Sequence, residues 1–385
     1  MRRLQCAWRL PRVPGLLTLL LLTSLSSSCL AEDGVTDNSI LIGQTVGLTG
    51  QIAGPVKEMN AGAAAYIAQI NKNGGINGRK LELRILDDKF DPVLAASNAE
   101  TLVKKEHVFA LFQSRGTPHT QAILPILSSN KIPLIAPSTG ATVFHTPVNR
   151  YVFNVRAKYQ DEVRKAVEQF STTGLKEIAL VHVDDSFGGD GLAGFNSAMA
   201  SFKLQPSAIV KYDRAKPDVA RAVDEVTKSA AKATIIVGSA TTVSEIIRAI
   251  RAKGSVIQIM TLSNNASQSF VDSLGPAAPG IIVSQIMPAP HLLSTVLGQE
   301  FKTIAKDAGV TVSYAAMEGF VSAKVLVEGL RRSGKTPTRE GLIRGLESMH
   351  KADLGGLTVT YSDHDHSGSE FVDLTIIGRD GKFVR

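Results

Sequence analysis

The sequence predicts an α/β fold made of two doubly wound units, and three patterns carry that prediction. Short runs rich in Val, Ile and Leu are apolar at nearly every position, as strands of a parallel sheet covered on both faces must be. Helical stretches with apolar residues three and four apart separate those runs. The alternation then begins a second time after residue 150, with no Gly/Ser- or Pro-rich tether between the halves.

In chain order, "ILIGQTVGL" (40–48) is a buried strand, and "MNAGAAAYIAQINKN" (59–73) is a helix stopped by Gly74 and Gly75. "KLELRILD" (80–87) is the next strand, followed by a helix that Asp91 and Pro92 open. "VFALFQS" (108–114), the helix "PHTQAILPILSSN" (118–130) and the strand "IPLIAPS" (132–138) complete the first series. After "RYVFNVRA" (150–157) come the strands "EIALVHVD" (177–184), "SAIVKYD" (207–213), "ATIIVGS" (233–239) and "VIQIMTLS" (256–263), each followed by a helical stretch. "GIIVSQIM" (280–287) closes this series. Helices around 294–308, 314–332 and 338–350 follow, then the antiparallel tail "LTVTYS" (357–362) and "FVDLTIIG" (371–378).

The 385 residues are enough for two domains, and 44% apolar with 20% charged residues is the balance of a globular protein. The formal charge of +7 suggests nucleic acid only superficially. Four of the 42 basic residues (Arg2, Arg3, Arg9, Arg12) fall in the first dozen positions, and the rest nearly balance the 35 acidic ones. Aromatics are 5%, and no basic stretch is interleaved with them as a stacking platform requires, so no nucleic-acid partner is expected.

Those arginines begin a targeting segment. A basic region is followed by "LLTLLLLTSL" and then polar "SSSCLA", an apolar run too short for a bilayer span of about 20 residues. Residues 1–31 read as a secretory signal peptide cleaved after Ala31, with lipidation at Cys29 as the rival reading. Both cysteines, Cys6 and Cys29, belong to that segment, so the mature chain is expected to lack disulfides, thiolate nucleophiles and cysteine metal sites.

Several stretches look chemical. "GGDGLAG" (188–194) spaces Gly189, Gly191 and Gly194 as a dinucleotide turn does, but four residues separate it from its strand. A glycine-loose helix start is the better reading. "SDHDHSG" (362–368) offers Asp363, His364, Asp365 and His366 as metal ligands, yet neighbours in an extended loop point apart, and a polar hairpin fits better. Neither metal nor cofactor is expected.

The first unit is more informative. Small polar residues leave three strand ends, in "GLTGQIAG" (47–54), "FQSRGT" (112–117) and "APSTGA" (136–141). Ligands of open α/β sheets lie outside the carboxyl ends of the strands. Hydroxyls beside free helix-start amides form an anion site there. The bland alternative is that each Ser or Thr merely caps a helix.

At "NKNGGINGRKLELRILDDKFDP" the chain resembles the leucine/isoleucine/valine-binding family of periplasmic solute-binding proteins, and "IPLIAPSTGA", "YVFNVR" and "IALVHVDDSFGGDGLAGF" follow in the family's order. The resemblance spans the mature chain from about Ser39. It implies the type I binding-protein clamshell: two Rossmann-like lobes joined by three hinge crossings, near residues 155, 285 and 355. The first lobe would hold 35–155 with 285–355, and the second 156–284 with 356–385. It also implies a periplasmic, monomeric, non-catalytic protein that hands a small molecule, an amino acid or another organic carboxylate, to a membrane ABC permease.

Family ligand positions map onto Ser114, onto Ser138, Thr139 and Gly140, and onto Phe187, where amino-acid binders usually carry tyrosine. The acid that pairs with a ligand's α-ammonium is replaced by Ser263, followed by Asn264 and Asn265, and another aromatic is replaced around Ala240. Asp184 or Asp185 could substitute for the acid. Arg115 reads either as a contact to a second acidic group or as a solvated surface residue. A sensory binding protein shares these features, and a hydrolase using Ser138 is the enzymatic rival.

Overall fold

The computed structural model describes residues 32–385; the signal peptide and the lipidation site expected at 1–31 lie outside them. Two sheets organise the chain. In the first, β1 (Ser39–Val46) runs parallel between β2 (Lys80–Asp87) and β3 (Ala110–Phe112), and β4 (Leu134–Ile135) and β5 (Val152–Phe153) extend it in parallel. Helices α1 (Ala53–Lys72), α2 (Pro92–Lys104) and α3 (Thr117–Asn130) make the crossovers. Asp91 starts α2 as its sequence promised: the carboxylate accepts the Val93 N–H at 2.7 Å, and Pro92 occupies the first turn.

The second sheet carries β6 (Ile178–Val183), β7 (Ala208–Tyr212), β8 (Ala233–Val237), β9 (Gln258–Thr261) and β10 (Ile282–Gln285), all parallel. Between and around them lie α4 (Tyr159–Thr172), α5 (Ser186–Ser201), α6 (Val219–Lys228), α7 (Ala240–Ala252) and α8 (Gln268–Leu274). After α9 (Val296–Asp307), α10 (Tyr314–Arg332) and α11 (Arg339–Glu347), the short hairpin β11 (Ala352–Asp353) and β12 (Thr358–Val359) leads to β13 (Asp373–Ile377) and β14 (Phe383–Val384). β13 joins β10 antiparallel, giving the order β14-β13-β10-β9-β8-β6-β7.

The chain passes between the sheets three times, after β5, after β10 and after β12. Helix α10 is buried almost all round because it packs directly on α1 of the first sheet. Glycines allow that approach. A Cβ at Gly62 would lie 1.9 Å from the Ala316 carbonyl oxygen, and one at Gly319 only 1.8 Å from that of Met59.

Two motifs take structural roles. Helix α5 starts at Ser186 under an Asp185 cap, so Gly189, Gly191 and Gly194 lie inside the helix rather than at its loose start. Gly191 and Gly194 bring the helix against Val237 and Gln160. The "SDHDHSG" stretch turns back on itself through a Ser362–Asp365 bridge. His364 points to solvent, while His366 is buried and stacks on Phe153 at 3.9 Å. His182 of β6 is buried, its Nδ1 3.0 Å from the Val183 carbonyl oxygen.

Candidate functional site

Strand ends of both sheets converge on one narrow cavity that stands almost closed, with about 20 Å³ of interior space, the room of roughly one water molecule. Phe90 follows β2, Arg115 follows β3 and Ser138 follows β4. From the second sheet come Arg214 after β7, Ser239 after β8 and Asn264 after β9. Tyr159 and Phe187 enter from the first turns of α4 and α5, and Ile52 from just before α1.

Backbone strain marks the first sheet's share. Lys89 and Phe90 (φ 51° and 59°), Gln113 (46°) and Ala136 (55°) all adopt the left-handed region without being glycine. Each such residue is disfavoured by about 1–2 kcal/mol and persists only where its surroundings hold it. Among the described residues, none at the carboxyl ends of β6 to β9 does this. The Phe90 ring stacks on buried His119 at 4.2 Å and receives the Arg214 guanidinium 5.0 Å from its centre. Burial drives the His119 imidazole down to about 4. Beneath the same loop, burial pushes the Asp88 carboxyl up to about 7, although it accepts the Phe90 N–H at 2.9 Å.

Arg115 is 5% exposed, which removes the surface reading: it lies in the cavity wall. Its guanidinium donates to Ser138 Oγ at 3.1 Å and, across the cleft, to the Asn264 carbonyl at 2.8 Å. Burial lowers its proton affinity, and Glu318 partly restores it. Ser138 in turn donates to Glu318 Oε1 at 2.8 Å. On the other side, Arg214 sets Nε and Nη2 on the single oxygen Oδ2 of Asp185, at 2.6 and 2.5 Å, and donates to Ser239 Oγ at 2.7 Å.

A buried ion pair lies behind the cavity. Arg156, just past β5, binds Glu162 of α4 at 2.5 Å and donates to Ser263 Oγ at 2.8 Å. Glu162 also accepts the Ser263 N–H at 2.9 Å and the Ser284 hydroxyl at 2.5 Å. Burial alone would weaken the Arg156 proton, but Tyr159, Glu162 and Glu318 outweigh it and hold the guanidinium above its ordinary value.

The residues singled out from sequence divide into two groups. Ser138, Arg115, Phe187 and Asn264 line the cavity together. Ser114, Thr139, Gly140 and Ser263 do not. The Ser114 hydroxyl meets Thr120 at 2.9 Å and that of Thr139 meets Thr117 at 2.8 Å, both beneath the cavity wall. Gly140 serves the backbone: a Cβ there would lie 2.6 Å from the Ala157 carbonyl oxygen, where the chain leaves the first sheet. Ser263 is engaged by Arg156 and Glu162. The acids suggested as substitutes are also taken. Asp185 is held by Arg214 and by the Phe187 and Gly188 N–H groups, and Asp184 pairs with Lys211 at the surface.

Phe90, Tyr159, Arg214 and Ser239 are cavity residues that the sequence reading passed over. Phe90, Arg214 and Ser239 sit immediately past strands, so the strand-end rule applied to "FQSRGT" would have found them had it been extended to every strand of both units. Among the described residues, no group of His, Cys, Asp and Glu is arranged to hold a metal ion.

A model of the periplasmic binding protein family matches residues 39–382. Leu/Ile/Val-binding protein homolog 3 of Brucella melitensis is 24% identical over 356 residues, covering 90% of this chain and 93% of the relative. A solved substrate-binding periplasmic protein from Ralstonia solanacearum superposes with a TM-score of 0.85 at 29% identity, covering 90% of this chain and 99% of that one. A fatty acid ABC transporter substrate-binding protein from Thermomonospora curvata shares the fold at a TM-score of 0.84 and 20% identity, covering 92% and 93% of the two chains.

Proposed function

We propose a carrier role for this chain, which belongs to the periplasmic binding protein family: it binds a small carboxylate between its lobes outside the cytoplasm and delivers it unchanged to an ABC permease. The observation that carries the reading is the cavity itself. Strand ends of both sheets line it, it presents guanidinium, hydroxyl and aromatic groups, and among the described residues the Ser138 hydroxyl bonds Arg115 and Glu318 rather than a histidine. The lobes correspond to 35–155 with 285–355 and 156–284 with 356–385, and closing one on the other excludes water from the ligand. Ser138 and Arg115 form the first-lobe grip, and Phe187 and Asn264 contribute from the second lobe.

Each hydrogen bond to a carboxylate is worth about 1.5–3 kcal/mol, so three or four support micromolar binding. The test is a thermal-shift screen of the protein lacking residues 1–31 against amino acids and small organic acids. A ligand at 100 times its dissociation constant adds about 2.7 kcal/mol of stability. A clear shift with at least one acid, recovered unchanged by mass spectrometry, is the expected result. Chemical conversion of the acid, or no shift with any, would overturn the reading.

A further inference from the structure

We infer that the ligand is an organic acid with an apolar body and no ammonium group, and that Arg115 is the residue that selects it. This rests on the carrier reading above and narrows its ligand class. Arg115 is a buried cation whose hydrogen-bond partners are all uncharged: Ser138 Oγ, the Asn264 carbonyl and the Met59 sulfur. Among the described residues no carboxylate lies within ion-pair distance of it; Glu318 acts on it from beyond that distance and is linked to it through the Ser138 hydroxyl. A buried guanidinium prefers a planar anion it can grip with two parallel N–H groups, and a ligand carboxylate in the cavity is that partner.

The same wall rejects a zwitterion. The cavity lining contains two guanidinium groups, Arg115 and Arg214, and no Asp or Glu. Asp185 is bound to Arg214 and to the start of α5, and the end of β9 offers a serine already held by Arg156. An ammonium beside the ligand's carboxylate would therefore be desolvated without an anion to meet it. The rest of the lining, Ile52, Phe90, Tyr159 and Phe187, suits an aliphatic or aromatic body. Arg115 also touches the opposite lobe through Asn264, so the group that holds the anion is the group that closes on it.

The clean probe is a pair of molecules that differ only at the α-carbon. Leucine and its α-keto acid, and phenylalanine with phenylpyruvate, are titrated by calorimetry into wild type, Arg115→Met and Arg115→Lys. The keto acids should bind wild type at least 100-fold more tightly than the amino acids. Arg115→Met should lose 100-fold or more of that affinity, and Arg115→Lys 10-fold or more, because lysine keeps the charge and loses the fork. Circular dichroism of the unliganded variants reports folding, and if the methionine variant does not fold, the lysine variant decides. Amino acids binding as well as keto acids, or binding that survives both substitutions, would overturn the inference while leaving a carrier. If no carboxylate of any kind binds wild type, the carrier's acid specificity falls with it.

Discussion

The two jaws of the cleft are built on opposite principles. The first-lobe jaw is made of strained backbone, with Phe90, Gln113 and Ala136 left-handed at three successive strand ends and Asp88 and His119 buried behind them. The second-lobe jaw is relaxed. Among the described residues none at the ends of β6 to β9 is a left-handed non-glycine, and two of the helices that follow are capped by side chains, Asp185 on Phe187 and Gly188, and Ser267 on Phe270. Strain is tolerated only where a surround over-determines it. Under the proposed carrier role, the first lobe is the fixed template for the ligand's acid group and the second the lid that completes it.

The largest expected effect breaks the support that the second jaw stands on. Glu162→Gln removes the nearer of the two carboxylates beside the buried Arg156 guanidinium, leaving Glu318 at 4.0 Å, and weakens the bonds to Ser263 and Ser284. Removing one member of a buried pair costs about 3–5 kcal/mol. Urea unfolding should show that loss, and a change below about 1 kcal/mol would mean the jaw is supported elsewhere.

The next test probes the buried support of the first jaw by pH. Because burial lifts the Asp88 carboxyl to about 7, it binds its proton more tightly folded than unfolded. Its stabilisation is full below the ordinary carboxylate range and is lost as pH rises through about 7. His119 runs the other way: its imidazole is lowered to about 4, so its contribution is present above the ordinary histidine range and is lost as pH falls through about 4. The difference in melting temperature between wild type and Asp88→Asn should therefore widen in the variant's favour from pH 5 to pH 8. A constant difference would show that Asp88 ionises freely.

Smaller effects probe the strain and the lid. Ala136→Gly relieves a left-handed alanine and should raise stability by about 1 kcal/mol, while loosening ligand affinity a few-fold. A loss of stability would mean that the alanine methyl, not the backbone, holds the turn. Phe187 is buried against Tyr159, so the milder Phe187→Leu is the informative change: it should cost unfolding less than about 1.5 kcal/mol yet weaken binding about 10-fold. A loss of stability with binding unchanged would make Phe187 a core residue rather than part of the lid.

Much of the architecture was legible because buried parallel strands are apolar at every position and their helices carry ordinary start and stop signals. The site was legible only in outline. Small polar residues past "VFALFQS" and "IPLIAPS" pointed to the right strand ends and to Ser138 and Arg115, but equally to Ser114, Thr139 and Gly140, which do not line the cavity. Gln113, at φ 46°, breaks the strand's alternation, turning Ser114 onto Thr120 and Arg115 into the cavity. No apolar pattern records such a kink. Arginine is normally solvated, so the burial of Arg115 follows only from tertiary contacts with Met59, Ser138 and Asn264, residues distant in sequence.

The central claim is that the strained first-lobe jaw fixes an acid group. A crystal structure of the protein with its tightest-binding acid tests it most directly. The account predicts the ligand's carboxylate within hydrogen-bond distance of both the Arg115 guanidinium and the Ser138 hydroxyl, with its apolar body against Phe90 and Phe187. A carboxylate held by second-lobe residues alone, or a ligand ammonium seated on Glu318, would contradict it.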